Sequence, residues 1–308
     1  MNCELLYIDW SPSIEAFHLG SFTVRWYSLC WVIGLASVYL LERYLYKKQK
    51  VADEKFDPLF IYCFAGILIG ARLGHCLFYE PGYYLTSWHG FVEMFLPIKF
   101  VGDDWKFIGY EGLASHGGTL GLMIALWFFM RKTKLPLKFI LDNIAIVTPI
   151  CACFIRLGNL MNSEIIGRVT DVPWAFRFLK SHEAMQTLGQ DGLPLPRHPG
   201  QLYEAICYAI FFFVGWYFYK KSTKQQGYEP TNNWAAQSSP RGIQVGSGFY
   251  FGLCLTLIFI ARFFIEFTKE VQGGVDNGSL PIDMGQILSI PFVLLGVWCM
   301  LRAFKAKG

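Results

Sequence analysis

Long apolar segments alternate with short polar ones along the whole chain. Continuous apolar runs lie near 24–46, 58–79, 112–130, 138–157, 201–219, 247–267 and 285–303. A helix needs roughly 20 such residues to cross the hydrocarbon of a bilayer, and only helices or closed barrels satisfy their backbone polar groups there. The runs are too long and too continuous for barrel strands. The pattern therefore predicts an all-α polytopic membrane protein with about seven transmembrane helices.

Basic residues are concentrated after alternate apolar segments, at 47–50, 131–134, 220–224 and 302–307. If each segment spans the membrane, all of these clusters fall on one side. Loops rich in Lys and Arg mark the cytoplasmic side. We therefore predict that the N-terminus is outside and the C-terminus is cytoplasmic, which places residues 80–111, 158–200 and 268–284 on the outer side.

The chain is predicted to form a single integral membrane domain over residues 1–308, with two insertions on its outer side. Residues 80–111 are aromatic and half apolar but too short to span, so we expect an arm that lies along the membrane interface. Residues 158–200 form the second insertion, an outer head segment. Gly66, Gly70 and Gly74 recur at four-residue spacing, which predicts a face for close helix packing.

Composition narrows the class of protein further. Of 308 residues, 54% are hydrophobic and only 16% are charged, so the apolar surface exceeds what one soluble core holds. The net charge of +4 reflects the placement of basic loops, and nucleic acid binding is not predicted. Most of the nine Cys lie in apolar runs and behave as small hydrophobic residues, so no disulfide framework or metal site is predicted. The N-terminus lacks the features of a cleaved signal peptide.

Ionisable residues inside spans are costly and usually mark function. Four such places stand out in the sequence: Arg72 in the second span; Ser115, His116, Gly117 and Gly118 at the start of the third; Arg156 to Gly167 after the fourth; and Arg262 with Glu266 in the sixth. Structural interpretations stay open for three of them. Arg72 is near enough to a helix end to snorkel, His116 is compatible with a core histidine, and Arg262 and Glu266 have the spacing of a structural i,i+4 pair.

The stretch that begins at Arg156 has the strongest functional pattern. Arg156 and Asn159 share one helix face, and Asn162 and Glu164 follow as the helix ends, so donors converge with a carboxylate that orients them. Guanidinium groups suit phosphate recognition and keep their charge at membrane depth. With several arginines towards the outer side of an apolar bundle, the expected ligand is an anionic phospholipid head group that enters sideways from the bilayer.

Residues 156–174, RLGNLMNSEIIGRVTDVPW, closely resemble the signature of the bacterial prolipoprotein diacylglyceryl transferase family. Further blocks resemble the family in the same order, at 25–27, 115–118, 197–204, 262–267 and 284–291, so the resemblance covers essentially the whole chain. The sequence departs from the family pattern at Ile155, Gly200 and Lys269, where Gly, Ser or Thr, and Arg are usual. These changes put substrate preference in doubt rather than activity.

The resemblance implies transfer of the diacylglyceryl group of phosphatidylglycerol to the lipobox cysteine thiol of a prolipoprotein, without cofactor or metal. It also implies the bacterial inner membrane as the location, with the site towards the outer face. Its candidate catalytic residues are His116, as the base, with Arg156, Arg262 and Tyr27. The candidate substrate-binding residues are Arg72, Gly117, Gly118, Arg156, Asn159, Asn162, Glu164, Gly167 and Glu266, the last orienting Arg262.

Two other functions remain open from the residues alone. A transporter or channel for an organic phosphate or anionic lipid also needs arginines within its spans, but it favours internal repeats and broken helices near the bilayer centre. A non-catalytic lipid-binding subunit shares the lipid site but needs no base, and His116 beside two glycines argues against it.

Overall fold

The computed structural model describes residues 7–20, 22–102, 104–109, 112–225, 242–270 and 283–305. These residues are mostly helical. The helices are α1 (Trp26–Lys48), α2 (Asp53–Phe78), α3 (Pro81–Tyr84), α4 (Trp88–Phe95), α5 (Ser115–Thr133), α6 (Leu137–Met161), α7 (Gly200–Gln225), α8 (Phe249–Glu266) and α9 (Met284–Phe304).

Six helices in the described residues are long and apolar enough to cross a membrane: α1, α2, α6, α7, α8 and α9. This confirms a polytopic helical membrane protein. The third predicted span coincides with α5, which has 19 residues but is not among the six. Its first turn is polar and its last turn contains Arg131 and Lys132, which lower its mean hydropathy. The count of seven spans and the orientation of the chain stay predictions.

Short strands lie outside these helices, where the prediction gave none. Strand β1 (Ile8–Trp10) pairs in parallel with β6 (Phe176–Phe178), while β2 (Glu15–Leu19) pairs antiparallel with β3 (Phe22–Arg25), and β4 (Ile98–Val101) with β5 (Asp104–Phe107). The arm and head segments are not long apolar helices, so extended backbone is allowed there. The all-α class is therefore confirmed, with short strands confined to segments outside the spans.

Contacts divide the chain into two compact units. The larger unit comprises Met1–Leu45, Lys138–Pro230 and Ala236–Gly308, and the smaller comprises Tyr46–Leu137 with Thr231–Ala235. The prediction of a single domain over the whole chain stays a prediction.

In the smaller unit, α2 and α5 cross at glycines. A Cβ at Gly70 would lie 2.7 Å from the Cα of Gly121, and one at Gly74 would lie 2.7 Å from the Cα of Gly117. Real Cβ atoms do not make contacts this short. The two backbones can therefore approach this closely only because glycine has no side chain. The small-residue face predicted for the second span is confirmed, and its partner is α5.

In the larger unit, a carboxylate on α6 fixes the beginning of α8. Asp142 is fully buried and accepts three hydrogen bonds of 2.8–2.9 Å from the backbone N–H groups of Gly246, Gly248 and Phe251. A carboxylate at a helix N-terminus satisfies orphan donors and interacts favourably with the helix dipole. Farther along, Gly252 of α8 packs against the backbone of Gly296 in α9, so these two helices are in close contact.

The head segment has a small core of its own. Phe178 and Ala184 are fully buried, and Ile166 and Leu160 pack with them. Strand β1 joins this core, because the Trp10 indole N–H donates to the carbonyl of Leu160 over 3.0 Å. The start of the chain thereby holds the head against the end of α6.

Candidate active site

The end of α6 and the turn after it form a continuous polar network in the larger unit. Arg156 Nη1 donates to Asn159 Oδ1 over 3.3 Å, and Asn159 Nδ2 donates to Glu164 Oε1 over 2.7 Å. Asn162 Nδ2 lies 3.5 Å from the same oxygen. The structure thus joins four predicted site residues in one network, in which both asparagines contact the Glu164 carboxylate.

The turn that presents Glu164 has an unusual backbone. Ser163 and Ile165, on either side of it, have φ angles of 53° and 58°. A β-branched residue is rarely found in the left-handed region, and such a conformation persists only where its surroundings enforce it. One enforcing contact is the buried side chain of Gln201 at the start of α7, whose Nε2 donates to the Glu164 carbonyl over 2.5 Å.

A second carboxylate, which was not among the predicted site residues, pairs with Arg156 from α7. Glu204 Oε2 lies 2.6 Å from Arg156 Nε, and Glu204 Oε1 accepts from Lys269 Nζ over 2.8 Å. Glu204 is 1% exposed, so its charge is neutralised by these two cations rather than by water. Lys269 Nζ also lies 3.5 Å from Glu266 Oε2.

Arg262 on α8 forms no hydrogen bond or salt bridge with the part of the chain that the structure describes. Its side chain is half-buried. Arg262 is therefore a half-buried guanidinium available to an anion.

The described residues contain no ion pair between Arg262 and Glu266, and the orienting role predicted for Glu266 stays a prediction. Glu266 faces Lys269 instead, and it packs so closely against Gly285 that a Cβ there would contact its carboxylate. The i,i+4 spacing permits a pair between Glu266 and Arg262. It does not exclude that Glu266 pairs instead with Lys269, which lies beyond the helix end.

Gly167 and Tyr27 occupy tightly packed positions next to the network. A Cβ at Gly167 would lie 2.5 Å from the His198 carbonyl oxygen and 2.6 Å from that of Thr268. Tyr27, near the start of α1, packs against Gly158, where a Cβ would lie 3.0 Å from its ring. Both glycines allow close approach of a neighbouring segment, and this places Tyr27 one helical turn or less from Arg156 and Asn159 along α6.

Two further arginines stabilise the surroundings of Gly167. The fully buried Arg197 donates to the Gly167 carbonyl over 3.1 Å and pairs with Glu270 at 2.6 Å. Arg168 donates to the Lys269 carbonyl over 2.5 Å and pairs with Asp283 at 3.2 Å. These contacts join the head to the segments at the ends of α8 and α9.

His198 lies in the same framework, and burial lowers the pKa of its imidazole. Its Nδ1 lies 3.1 Å from the Tyr203 hydroxyl oxygen, which also accepts from the Trp174 indole N–H over 2.9 Å.

The other predicted residues lie in the smaller unit. His116, in the first turn of α5, is exposed and has no hydrogen bond with the described residues. Gly117 packs on Gly70 and Gly74, and Gly118 lies near Ala71, so both glycines serve the crossing of α2 and α5. A ligand-binding role for these two glycines remains a prediction.

Arg72 is 7% exposed, so it does not snorkel to solvent. Its Nη2 donates to the Glu93 carbonyl over 2.6 Å, its Nε lies 3.4 Å from the Met94 carbonyl, and the guanidinium stacks over Tyr84. These contacts hold the arm to α2. They favour a structural role, and its predicted binding of substrate remains untested.

Comparisons with known proteins agree with the resemblance seen in the sequence. The family model described as Prolipoprotein diacylglyceryl transferase matches residues 14–302. The protein named phosphatidylglycerol--prolipoprotein diacylglyceryl transferase of Bacteroides fragilis (strain YCH46) is 52% identical over 309 residues, covering 100% of this chain and 99% of the relative. Proteins of the same name from Porphyromonas gingivalis and Tolumonas auensis are 38% and 39% identical, over 97% of this chain and 95% and 98% of their own lengths. The chain belongs to the prolipoprotein diacylglyceryl transferase family.

Proposed function

We propose that this chain transfers the diacylglyceryl group of phosphatidylglycerol to the lipobox cysteine thiol of a prolipoprotein, the first step of lipoprotein maturation. Family membership supports the reaction. The observation that carries the chemistry is the state of two guanidinium groups: Arg156 is held by Glu204, and Arg262 is unpaired in the described part of the chain.

In this reaction the cysteine sulfur forms a bond to the glyceryl carbon as the bond from that carbon to the phosphate oxygen breaks. The electron pair of the broken bond leaves with glycerol phosphate, so negative charge grows on the phosphate. Preorganised donors aimed at developing charge are the strongest catalytic device in a site shielded from water. Arg262 is our candidate for this role, and Arg156 supports it from a position fixed by Glu204 and Asn159.

The thiol proton also needs an acceptor. A cysteine thiol has a pKa of about 8.5, so only a small fraction is thiolate at neutral pH. We propose His116 as the base, because its imidazole is exposed and makes no hydrogen bond with described residues. Asn159, Asn162, Glu164, Gly167 and Tyr27 are proposed to shape the head-group site.

We further propose that the chain is a multi-pass protein of the bacterial inner membrane with its site towards the outer face. The support is the set of basic segments on the predicted cytoplasmic side, together with the position of the Arg156 network at the opposite end of α6 from the α5–α6 connection. An exported precursor presents its cysteine on that outer face.

The direct test is an assay of purified protein in detergent with phosphatidylglycerol and a lipobox-cysteine peptide. Release of glycerol phosphate is followed together with the gain of diacylglyceryl mass on the peptide. We expect both products in equal amounts from the wild type, neither from Arg156→Ala, and both from a control, Lys221→Ala, which removes an exposed cation at the other end of α7. Binding of phosphatidylglycerol without product would instead indicate a lipid-binding protein.

A further inference from the structure

The hairpin formed by β4 and β5 has two chemically different faces. In its register Lys99 is opposite Lys106, Phe100 is opposite Trp105, and Ile98 is opposite Phe107. Side chains of directly opposite residues project to the same face of a sheet. One face therefore presents two ammonium groups and the other presents aromatic and aliphatic side chains.

The two lysines form an unfavourable pair. Like charges directly opposite each other destabilise an antiparallel pair. Both side chains are exposed, and neither has an ion pair in the described residues. Asp104 lies on the same face, opposite Val101, so these three side chains have a net charge of one positive unit. An anion placed between the ammonium groups would remove their repulsion.

The β5 side of the aromatic face is open. Trp105 and Phe107 are 63% and 73% exposed, and Trp88 on neighbouring α4 is 74% exposed. Aromatic side chains, and Trp above all, are enriched at the level of lipid head groups, where part of the ring is apolar and part is hydrated. A soluble surface with so many exposed rings would be an aggregation hazard, whereas a bilayer interface accommodates them.

The hairpin is fastened to the membrane helix α2 rather than loosely tethered. The Glu93 carboxylate accepts from the Phe100 backbone N–H over 2.7 Å and from the Tyr83 hydroxyl over 2.8 Å. The Glu93 carbonyl is in turn held by Arg72 of α2. The Phe100 ring also lies 4.4 Å from that of His89 on α4. The orientation of the hairpin thus follows from that of a predicted span.

We propose that the β4–β5 hairpin is a docking surface for anionic phospholipid head groups at the bilayer interface, with its aromatic face in the interface and Lys99 and Lys106 on the phosphodiester. The occupant is identified by charge complementarity and by continuity with α2. This proposal rests on the proposed function in one respect. The lipid bound at the hairpin belongs to the proposed substrate class, so the hairpin raises the local concentration of phosphatidylglycerol at the protein surface.

The binding test needs no catalysis. Protein is reconstituted in vesicles that contain either brominated phosphatidylglycerol or brominated phosphatidylcholine at equal mole fraction, and tryptophan quenching is measured. The difference between wild type and Trp105→Phe isolates the emission of Trp105. We expect stronger quenching of Trp105 by the anionic lipid. Equal quenching by the two lipids, or quenching by neither, would overturn the proposal.

Variants of the charged face sharpen this test. Lys99→Gln/Lys106→Gln should abolish the preference for the anionic lipid, Lys99→Arg/Lys106→Arg should retain it, and Asp104→Asn should increase it. Loss of preference in the Arg variant or in Asp104→Asn would contradict the electrostatic argument. A matched control, Lys132→Gln/Lys134→Gln, removes two cations from the other end of α5 and should leave Trp105 quenching unchanged.

Turnover in vesicles provides a separate readout. If the proposed function holds, the mole fraction of phosphatidylglycerol that gives half-maximal rate should rise about fivefold for each lysine removed, with the maximal rate unchanged. High salt should reduce the difference between variant and wild type. If the anionic lipid quenches Trp105 more strongly but no turnover occurs, the docking surface is supported and only the proposed reaction is contradicted.

Discussion

Arg156 and Glu204 face each other from α6 and α7, with 2.6 Å between the guanidinium Nε and a carboxylate oxygen that is almost completely buried. The same carboxylate holds Lys269 at 2.8 Å. One acidic side chain therefore sets the positions of two cations. Arg156 is positioned by Glu204 on α7 as much as by residues of its own helix, α6.

Removal of the Glu204 charge should destabilise the larger unit. Glu204→Gln leaves the buried Lys269 and the half-buried Arg156 without this carboxylate, and the loss of one partner of a buried pair costs about 3 to 5 kcal/mol. We expect a lower thermal unfolding temperature in detergent and reduced turnover. Glu204→Gln/Lys269→Met should recover part of the stability, whereas the exposed Glu183→Gln should change little. A double variant no better than the single would show that the two side chains are not coupled.

Arg262 and Arg197 should respond differently to truncation. Arg262 has no hydrogen bond or salt bridge among the described residues, so Arg262→Ala should lower turnover by about 10²- to 10³-fold with little change in unfolding temperature. Arg197 is 1% exposed and donates to the Gly167 carbonyl, so Arg197→Ala should unfold at lower temperature. Turnover and unfolding temperature are measured for both variants, which separates a role in the reaction from a role in stability. Near-normal turnover of Arg262→Ala would remove it from the reaction.

The crossing of α2 and α5 should not tolerate even one methyl group. A Cβ at Gly121 would lie 2.9 Å from the Gly70 Cα and closer still to the Gly66 carbonyl oxygen. Gly121→Ala should therefore destabilise the protein by about 1 to 3 kcal/mol, as overpacking does. Gly215→Ala on α7 is the control, because nothing lies within 4 Å of its Cβ position and the change should be neutral or stabilising. Equal unfolding temperatures for the two variants would refute a tight crossing.

The hydrogen bond between Tyr83 and Glu93 predicts an alkaline transition in the arm. The Glu93 carboxylate, followed by burial, raises the pKa of Tyr83 to about 12, against an ordinary value of about 10. Because the folded pKa is the higher one, this stabilisation is complete below pH 10 and is lost as the pH rises through about 12. Tyr83→Phe should lower the unfolding temperature at pH 8, and the difference from wild type should narrow in strongly alkaline solution. The effect should be small, since Tyr83 is 42% exposed.

The control for this transition is Tyr79→Phe, whose ring is 65% exposed and stacks on His75 without a described hydrogen bond of its hydroxyl. Absorbance of the phenolate gives a second measurement. A variant lacking Tyr83 should lose one phenolate from the component that titrates near pH 12 and keep the earlier components. Loss of an early component instead would show that Glu93 does not hold the phenol.

The sequence predicted local features of the site well. Arg156 and Asn159 are three residues apart on a helix, so their contact follows from helical spacing. The role of Glu204 was not predictable in the same way, because its contact with Lys269 joins residues 65 positions apart. Lys269 itself stood out only as a departure from the family pattern.

The fold shows the same division between local and distant information. Hydrophobic length identified the spans, and glycine spacing identified the face of α2 that packs on α5. The parallel pairing of β1 with β6 was missed, since strands of three residues carry almost no periodic signal and their partners lie far apart in the chain. The spacing of Arg262 and Glu266 likewise gave no information on Lys269, which lies beyond the helix end and faces Glu266.

The anchoring of α8 by Asp142 bears on how Arg262 can move. Three hydrogen bonds fix the first residues of α8, whereas Arg262 lies 13 residues beyond Phe249, or about 20 Å along the axis at 1.5 Å per residue. The far end of α8 is held as well, because Gln286 Nε2 donates to the Phe263 carbonyl over 3.1 Å and Glu266 packs against Gly285. A helix held at both ends can neither slide along its axis nor tilt freely, so the guanidinium of Arg262 moves by rotation of its own side chain.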